Sequence, residues 1–191
     1  MMLFGRNVAE TERLVLRHWT SMDMRGFLRF AADPEVMMAA GARPVLSPEE
    51  AGAELERCIK DPYCFAITLK SSGEVIGKIK YQNDYRRPRV NSVSIGYELA
   101  RQYWGHGYMT EAVREMVKYA FDSMRVDIVA ISHFAENERS RRVIEKVGFR
   151  REGVVPMAYH RFDGRVFAEV TYSILREEYI TGKTDPVRSL L

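Results

Sequence analysis

The hydrophobic pattern switches repeatedly along the chain between the period of a strand and that of a helix. Leu14 and Leu16 among charged neighbours predict a strand over residues 13–19. A helix follows, capped by Thr20 or Ser21, with Met24, Phe27, Leu28 and Ala31 on its apolar stripe, until Asp33-Pro34 stops it. Ser47-Pro48-Glu49-Glu50 reads as a capping box with proline at the first helical position, where its missing N–H costs nothing. The helix it opens runs to Lys60 and buries Ala51, Leu55, Cys58 and Ile59. Residues 63–69 and 75–82 alternate as strands joined by the turn Ser71-Ser72-Gly73, a hairpin. In the next strand, 93–99, Val93, Ile95, Tyr97 and Leu99 share one face, with Ser94, Gly96 and Glu98 on the other.

After Leu99 a glycine-bearing loop, 101–108, leads into a helix over 110–124, where Val113, Met116, Val117, Ala120, Phe121 and Met124 form the apolar stripe. A strand at 127–133 and a shorter helix at 138–147, closed by Gly148, come next. Two last strands, 154–161 and 166–175, are joined through Asp163-Gly164. Residues 181–191, polar and carrying Gly182 and Pro186, read as a flexible tail. A helix between strands on both sides of the glycine loop implies a crossover, hence parallel pairing within a mixed α/β sheet.

Composition narrows this reading. At 191 residues, with no repeat, low-complexity tract or Pro/Gly linker, the chain reads as a single domain over 1–180 followed by the tail. Its 46% hydrophobic content is enough to offset ordering entropy, which excludes disorder and a collagen-like fibre. A net charge of +3 requires no polyanionic partner. The short basic runs Arg86-Arg87-Pro88-Arg89 and Arg139-Ser140-Arg141-Arg142 read as solvated faces, so no nucleic-acid partner is expected. No apolar run is long enough to span a bilayer, which predicts a soluble cytoplasmic protein with no membrane partner. Cys58 and Cys64 lack metal-ligand spacing and read as free, part-buried thiols, and no cluster of His, Cys and carboxylates suggests a metal. Oligomeric state is open between monomer and homodimer.

Gln102-Tyr103-Trp104-Gly105-His106-Gly107 has the form Q-x-x-G-x-G and sits between a strand and a helix. There, backbone N–H groups freed by glycine can converge on a phosphate, and the helix N-terminus adds partial positive charge. His106 and Thr110 are further donor candidates. Taken alone, the same residues also fit a tight turn without a ligand. The dinucleotide fingerprint is not met, because Thr110 stands where that pattern needs its third glycine, and the Walker A lysine is absent.

A second motif, Asn137-Glu138-Arg139-Ser140 followed by Glu145-Lys146-Val147-Gly148-Phe149, lies one helix and one strand downstream. With both motifs in this order, the chain resembles the GNAT N-acetyltransferase superfamily over residues 11–179. Gly96-Tyr97, Tyr103-Trp104-Gly105 and Gly107-Tyr108-Met109-Thr110-Glu111-Ala112 look most like its subfamily of ribosomal-protein N-terminal acetyltransferases. The resemblance implies a GNAT-like fold, a central mixed sheet of about six to seven strands splayed at the cofactor with about four helices. It also implies acetyl-CoA as cosubstrate. The backbone of Tyr97, Glu98 and Leu99 would pair with the pantetheine amides. Trp104, Gly105, His106, Gly107, Tyr108, Met109 and Thr110 would hold the pyrophosphate, with Gln102 at the start of the motif. Asn137 and Ser140 would border the cofactor arm, and Lys146 its far end. Asn137 is equally natural as a helix cap, and Lys146 as a solvated helix residue.

Acetyl transfer to an amine needs a neutral nitrogen, a polarised thioester carbonyl and a way to stabilise the departing thiolate. Glu98, on the polar face of its strand, is the base candidate, its alternative being a solvated surface carboxylate. A backbone N–H near Leu99 is the candidate oxyanion donor. Where relatives carry a thiolate-protonating tyrosine, this chain has Ile144, and the resemblance puts forward Ser140 and Tyr159 as the catalytic hydroxyls instead. Both also read as ordinary helix and strand residues. His133 reads as a part-exposed strand histidine or a proton relay, and Glu169 as a structural hydrogen-bonding residue. The implied activity is acetyl transfer from acetyl-CoA to a primary amine, of a protein N-terminus or a small molecule, by direct attack in a ternary complex. The rival is a non-catalytic coenzyme A-binding or protein-interaction module of the same fold.

Overall fold

In the computed structural model, which describes residues 7–182, every segment read above as a strand is one. The tail expected at 181–191 lies outside the described residues from residue 183 onward. Among the described residues there are eight strands and six α-helices, one strand and two helices more than expected. The strands form a mixed sheet in the order β1-β2-β3-β4-β5-β6-β8-β7, numbered along the chain. The chain divides into two compact units, 7–81 with 96–115 and 82–95 with 116–182.

The first unit opens with β1 (Asn7–Glu10), four residues too short and too exposed to carry a visible alternation. It pairs antiparallel with β2 (Leu14–His18), which pairs with β3 (Cys64–Leu69) from Leu14↔Leu69 to His18↔Phe65. β3 pairs in turn with β4 (Val75–Asn83). β3 is buried along nearly its whole length, as a strand covered on both faces must be. A 3-10 turn, Ser21–Asp23, leads into α1 (Met24–Ala31). Phe27, Phe30 and Ala31 are buried and Leu28, expected on the stripe, is exposed. Gly26 explains the shift: a Cβ there would lie 2.5 Å from Val75 Cβ, so the helix presses its bare backbone onto β4. Leu28, two residues on, is then turned about 200° away from that contact.

Asp33-Pro34 stops α1 as expected but also starts α2 (Pro34–Ala39), because the Asp33 side chain accepts from Glu35 N–H at 3.0 Å and proline takes the first helical position. α3 (Pro48–Lys60) has the predicted bounds. Ser47 Oγ accepts from Glu50 N–H at 3.2 Å, while the Glu50 carboxylate reaches back to Leu46 N–H at 2.8 Å, one residue beyond the expected box partner. Ala51, Leu55 and Cys58 are buried against Trp19, Phe27 and Phe30; Ile59, at the edge of the stripe, is exposed.

In the second unit β5 (Ser92–Leu99) begins parallel to β6 (Ile128–Phe134), in register from Ser92↔Ile128 to Ile95↔Ile131. β5 continues past that register to Leu99. A parallel pair needs a crossover, and α4 (Tyr108–Asp122) provides it, its predicted stripe buried at Val113, Met116, Val117, Ala120 and Phe121. β6 pairs antiparallel with β8 (Val166–Leu175), and β8 with β7 (Arg150–His160). β7 starts four residues earlier than expected, at Arg150. Its register shifts between Arg151 and Gly153 and again between Val155 and Tyr159, which blurs the alternation that would mark its start. α5 (Glu138–Val147) is closed by Gly148 at φ +102, a left-handed position suited to glycine, and α6 (Arg176–Thr181) ends the described chain.

Candidate active site

The end of β5 is pinned on both sides within the first unit. Ala100 N–H donates to Ile76 O at 2.9 Å, and Trp104 Nε1 donates to Leu99 O at 2.8 Å. Gly77 of β4 lies so close beneath that a Cβ there would meet Glu98 O at 2.4 Å. After a 3-10 turn, Arg101–Tyr103, the chain passes through Gly105 at φ +80 and Gly107 at φ +82, and α4 starts at Tyr108. Left-handed glycines alternating with ordinary residues turn backbone N–H groups toward one concavity, next to the positive end of a four-turn helix. Gln102, Gly105, His106 and Gly107 are exposed, Trp104 and Tyr108 half-buried. Met109 and Thr110 are buried, so those two side chains belong to the packing of α4.

Two residues that sequence spacing does not flag brace this loop. Arg13, at the head of β2, donates from Nη1 to His106 O at 3.0 Å and from Nε to Glu111 Oε2 at 2.7 Å, and its guanidinium lies 4.6 Å above the Tyr108 ring. Glu111 Oε1 also accepts from Thr11 Oγ1 at 2.5 Å and from Arg13 N–H at 2.9 Å. Burial pushes the Glu111 carboxyl up, and the bonds from Thr11 and Arg13 more than reverse this, holding it below the usual glutamate value. Arg101 adds a second tie, 3.2 Å from both Asp33, the cap of α2, and Glu35 in its first turn.

Glu98 is not a solvated carboxylate. Its side chain is 9% exposed and faces Lys78 of β4, itself 14% exposed, across 3.2 Å from Nζ to Oε2. Oε2 is itself buried, and apart from this charge contact no described residue satisfies it. Burial pushes the Lys78 ammonium down, and the Glu98 carboxylate more than offsets it, leaving Lys78 above the ordinary lysine range. Cys58 and Cys64 lie near this pair, both free thiols and both buried, more fully than the part-burial expected of them. The Cys64 thiol is hydrogen-bonded to Cys58, and that bond together with burial pushes it well up.

Asn137, Ser140, Lys146 and Tyr159 belong to the second unit. Asn137 Oδ1 caps α5 by accepting from Ser140 N–H at 3.0 Å, the capping role anticipated for it, and its own N–H donates to Phe134 O at 2.7 Å. The Tyr159 ring packs 5.2 Å from that of Phe134, so Asn137, Ser140 and Tyr159 gather around the end of β6. Lys146 is exposed at the far end of α5. Ile144 is fully buried. His133 is buried, contrary to the part-exposed expectation, with the Tyr172 ring packed against it; its ring nitrogens lie 2.7 Å from Phe134 O and 3.2 Å from Tyr172 Oη. Glu169 pairs with Arg86, a structural contact as read. Among the described residues no group of His, Cys and carboxylates could hold a metal ion, and no helix is long and apolar enough to cross a membrane.

Arg13 and Lys78 were illegible from spacing for the same reason: each partner is distant in sequence, and only tertiary packing, a helix against a strand for Arg13 and strand beside strand for Lys78, brings the two together. Lysine within the apolar β4 run was the one available hint.

Residues 13–150 match the profile described as Acetyltransferase (GNAT) domain. An uncharacterized N-acetyltransferase of Bacillus licheniformis, p20, is 29% identical over 176 residues, covering 88% of this chain and 96% of its own. The crystal structure of a GNAT-family acetyltransferase from Bacillus anthracis superposes with a TM-score of 0.80 at 25% identity, covering 88% of this chain and 98% of the other. The ribosomal-protein-S5-alanine acetyltransferase of Vibrio fischeri shares the fold, with a TM-score of 0.71 at 22% identity over 90% of this chain and 97% of its own.

Proposed function

The chain belongs to the GNAT acetyltransferases, a family that uses acetyl-CoA, and from that premise we propose that it passes the acetyl group of acetyl-CoA directly to a primary amine, with Glu98 as the base. The observation that carries this reading is a carboxylate, 9% exposed and paired with Lys78, at the end of the strand that feeds a doubly left-handed glycine loop. Acetyl-CoA supplies an acyl group activated as a thioester. The exposed backbone around Gly105 and Gly107, with Gln102 at its start and Trp104, His106, Tyr108, Met109 and Thr110 along it, is the proposed seat of the pyrophosphate. The backbone of Tyr97, Glu98 and Leu99 aligns the pantetheine arm.

Glu98 accepts the proton that the amine sheds as its nitrogen bonds to the acyl carbon. Holding the two reactants in place supplies roughly 7–11 kcal/mol of the barrier, so the base sharpens a rate that positioning has already raised. The departing sulfur takes its proton from a hydroxyl, for which Ser140 and Tyr159 are the proposed donors. Asn137 and Lys146 are proposed as contacts to the cofactor arm. The reading carries with it a cytoplasmic setting, a monomer or homodimer, and no nucleic-acid or membrane partner.

The experiment is thiol release from acetyl-CoA measured against peptides with free N-termini and against small amines. Turnover with one class supports the reading and identifies the acceptor. One observation favours a second reading: Ile144, fully buried, leaves the usual acid position without a hydroxyl. A coenzyme A-binding module would then bind acetyl-CoA in calorimetry and release no thiol with any acceptor.

A further inference from the structure

We propose that Lys78 is a positioning residue for the transfer reaction, holding the Glu98 carboxylate in place at the end of β5. This rests on the reading of Glu98 as the base. Three features of the fold support it independently of that reading.

The first is geometry. Lys78 Nζ is 3.2 Å from Glu98 Oε2, close enough for strong Coulombic attraction at this burial, yet Oε2 receives no hydrogen bond from a described residue. A single charge contact to an oxygen that is itself buried fixes where the carboxylate points.

The second is the strand contact that sets this geometry. Gly77, immediately before Lys78, passes so close under β5 that any side chain there would strike Glu98 O and Leu99 Cα. Ile76 O takes the Ala100 N–H at 2.9 Å one step further on. The β4 segment 76–77 therefore fixes the β5 segment 98–100 through backbone contacts immediately beside the ion pair, which holds the two strands that carry Lys78 and Glu98 together.

The third is the surroundings. Cys58 of α3 and Cys64 of β3 lie close to the pair, both buried, and Cys64 is held as a thiol by its bond to Cys58. Lys78 brings a full opposite charge to a carboxylate in this buried place, and its own raised affinity for the proton fits that task.

The test is a double-mutant cycle on the full chain, read by steady-state thiol release with acetyl-CoA and the acceptor that turns over. Lys78→Met should lower kcat by at least about tenfold with KM for acetyl-CoA within about twofold, because the base and not the cofactor seat is disturbed. Lys78→Arg should restore most of the rate. In a Glu98→Gln background, Lys78→Met should change kcat by less than about twofold, since the group it acts through is gone. Equal loss in both backgrounds indicates a structural role and overturns the proposal, as does wild-type kcat in Lys78→Met. Glu98→Gln with wild-type kcat overturns the base reading itself and Lys78 falls with it, a result distinct from failure of Lys78 alone. Thermal melts accompany each variant, and Lys78→Gln replaces Lys78→Met in the cycle should the methionine chain not fold.

Discussion

Among the described residues of the first unit, the buried ion pairs Arg17–Asp23 and Lys78–Glu98 are built differently. Arg17 and Asp23, 8% and 7% exposed, meet through two parallel bonds of 2.8 and 2.7 Å. Asp23 Oδ2 accepts further bonds from Thr20 N–H at 2.8 Å and Thr20 Oγ1 at 3.1 Å, and Arg17 Nη1 also donates to His18 O at 3.1 Å. Lys78 and Glu98 are buried almost as deeply and share a single 3.2 Å contact with Oε2 otherwise unbonded. A buried carboxylate whose lone pairs are filled can only brace the fold, here the entry to α1. One held by a single charge contact is less constrained, and its unbonded buried oxygen carries a standing cost in stability that the fold offsets elsewhere.

Substitutions that remove one carboxylate charge from each pair should pull these roles apart. Asp23→Asn strands a guanidinium that cannot shed its proton, and urea unfolding should show a loss of about 3–5 kcal/mol, with kcat of the folded protein near wild type. Glu98→Gln leaves a lysine that can become neutral, so stability should fall by only about 1–3 kcal/mol. Its kcat should drop about a hundredfold, the reverse weighting of effects. Arg13 tests an intermediate case, a satisfied but 42% exposed side chain tied to Glu111 beside the glycine loop. Arg13→Met should weaken acetyl-CoA binding by about 0.5–1 kcal/mol in calorimetry, the modest figure reflecting solvent screening, and leave kcat at saturation unchanged.

The smallest effect is with pH. Burial pushes the Asp23 carboxyl up, but bonds from Arg17 and Thr20 outweigh it and hold the group below its ordinary 3.8. A folded value below the unfolded one means this contribution to stability is complete above the unfolded value and is lost as pH falls through the folded one. Wild-type melting temperature should therefore decline more steeply below about pH 4 than that of Asp23→Asn, which lacks the titrating group.

The contrast also marks how far the sequence could be read. Local signals carried well: Ser47-Pro48 gave α3 its bounds, Gly148 closed α5, and Gly105 and Gly107 adopt the left-handed conformation that a phosphate loop requires. Asp33-Pro34 was legible as a stop but not as the start of α2, because the same dipeptide performs both tasks. Glu98 could be placed on a polar face by alternation, yet its burial could not, since covering that face depends on α3 and on Lys78 arriving from another strand. Arg13 and Glu111 are 98 residues apart in the chain and no periodicity links them. Long-range pairing decides which charged residues are buried, and a single sequence does not display it.

The central claim is that Glu98 is the base of an acetyl-CoA-dependent transfer to an amine. The direct measurement compares wild type with Glu98→Gln for acetyl-CoA affinity by calorimetry and for thiol release at saturating acceptor. The account predicts equal affinity and a rate about a hundredfold lower in the variant. Equal rates, or a wild-type protein that binds acetyl-CoA and releases no thiol with any amine, would contradict it.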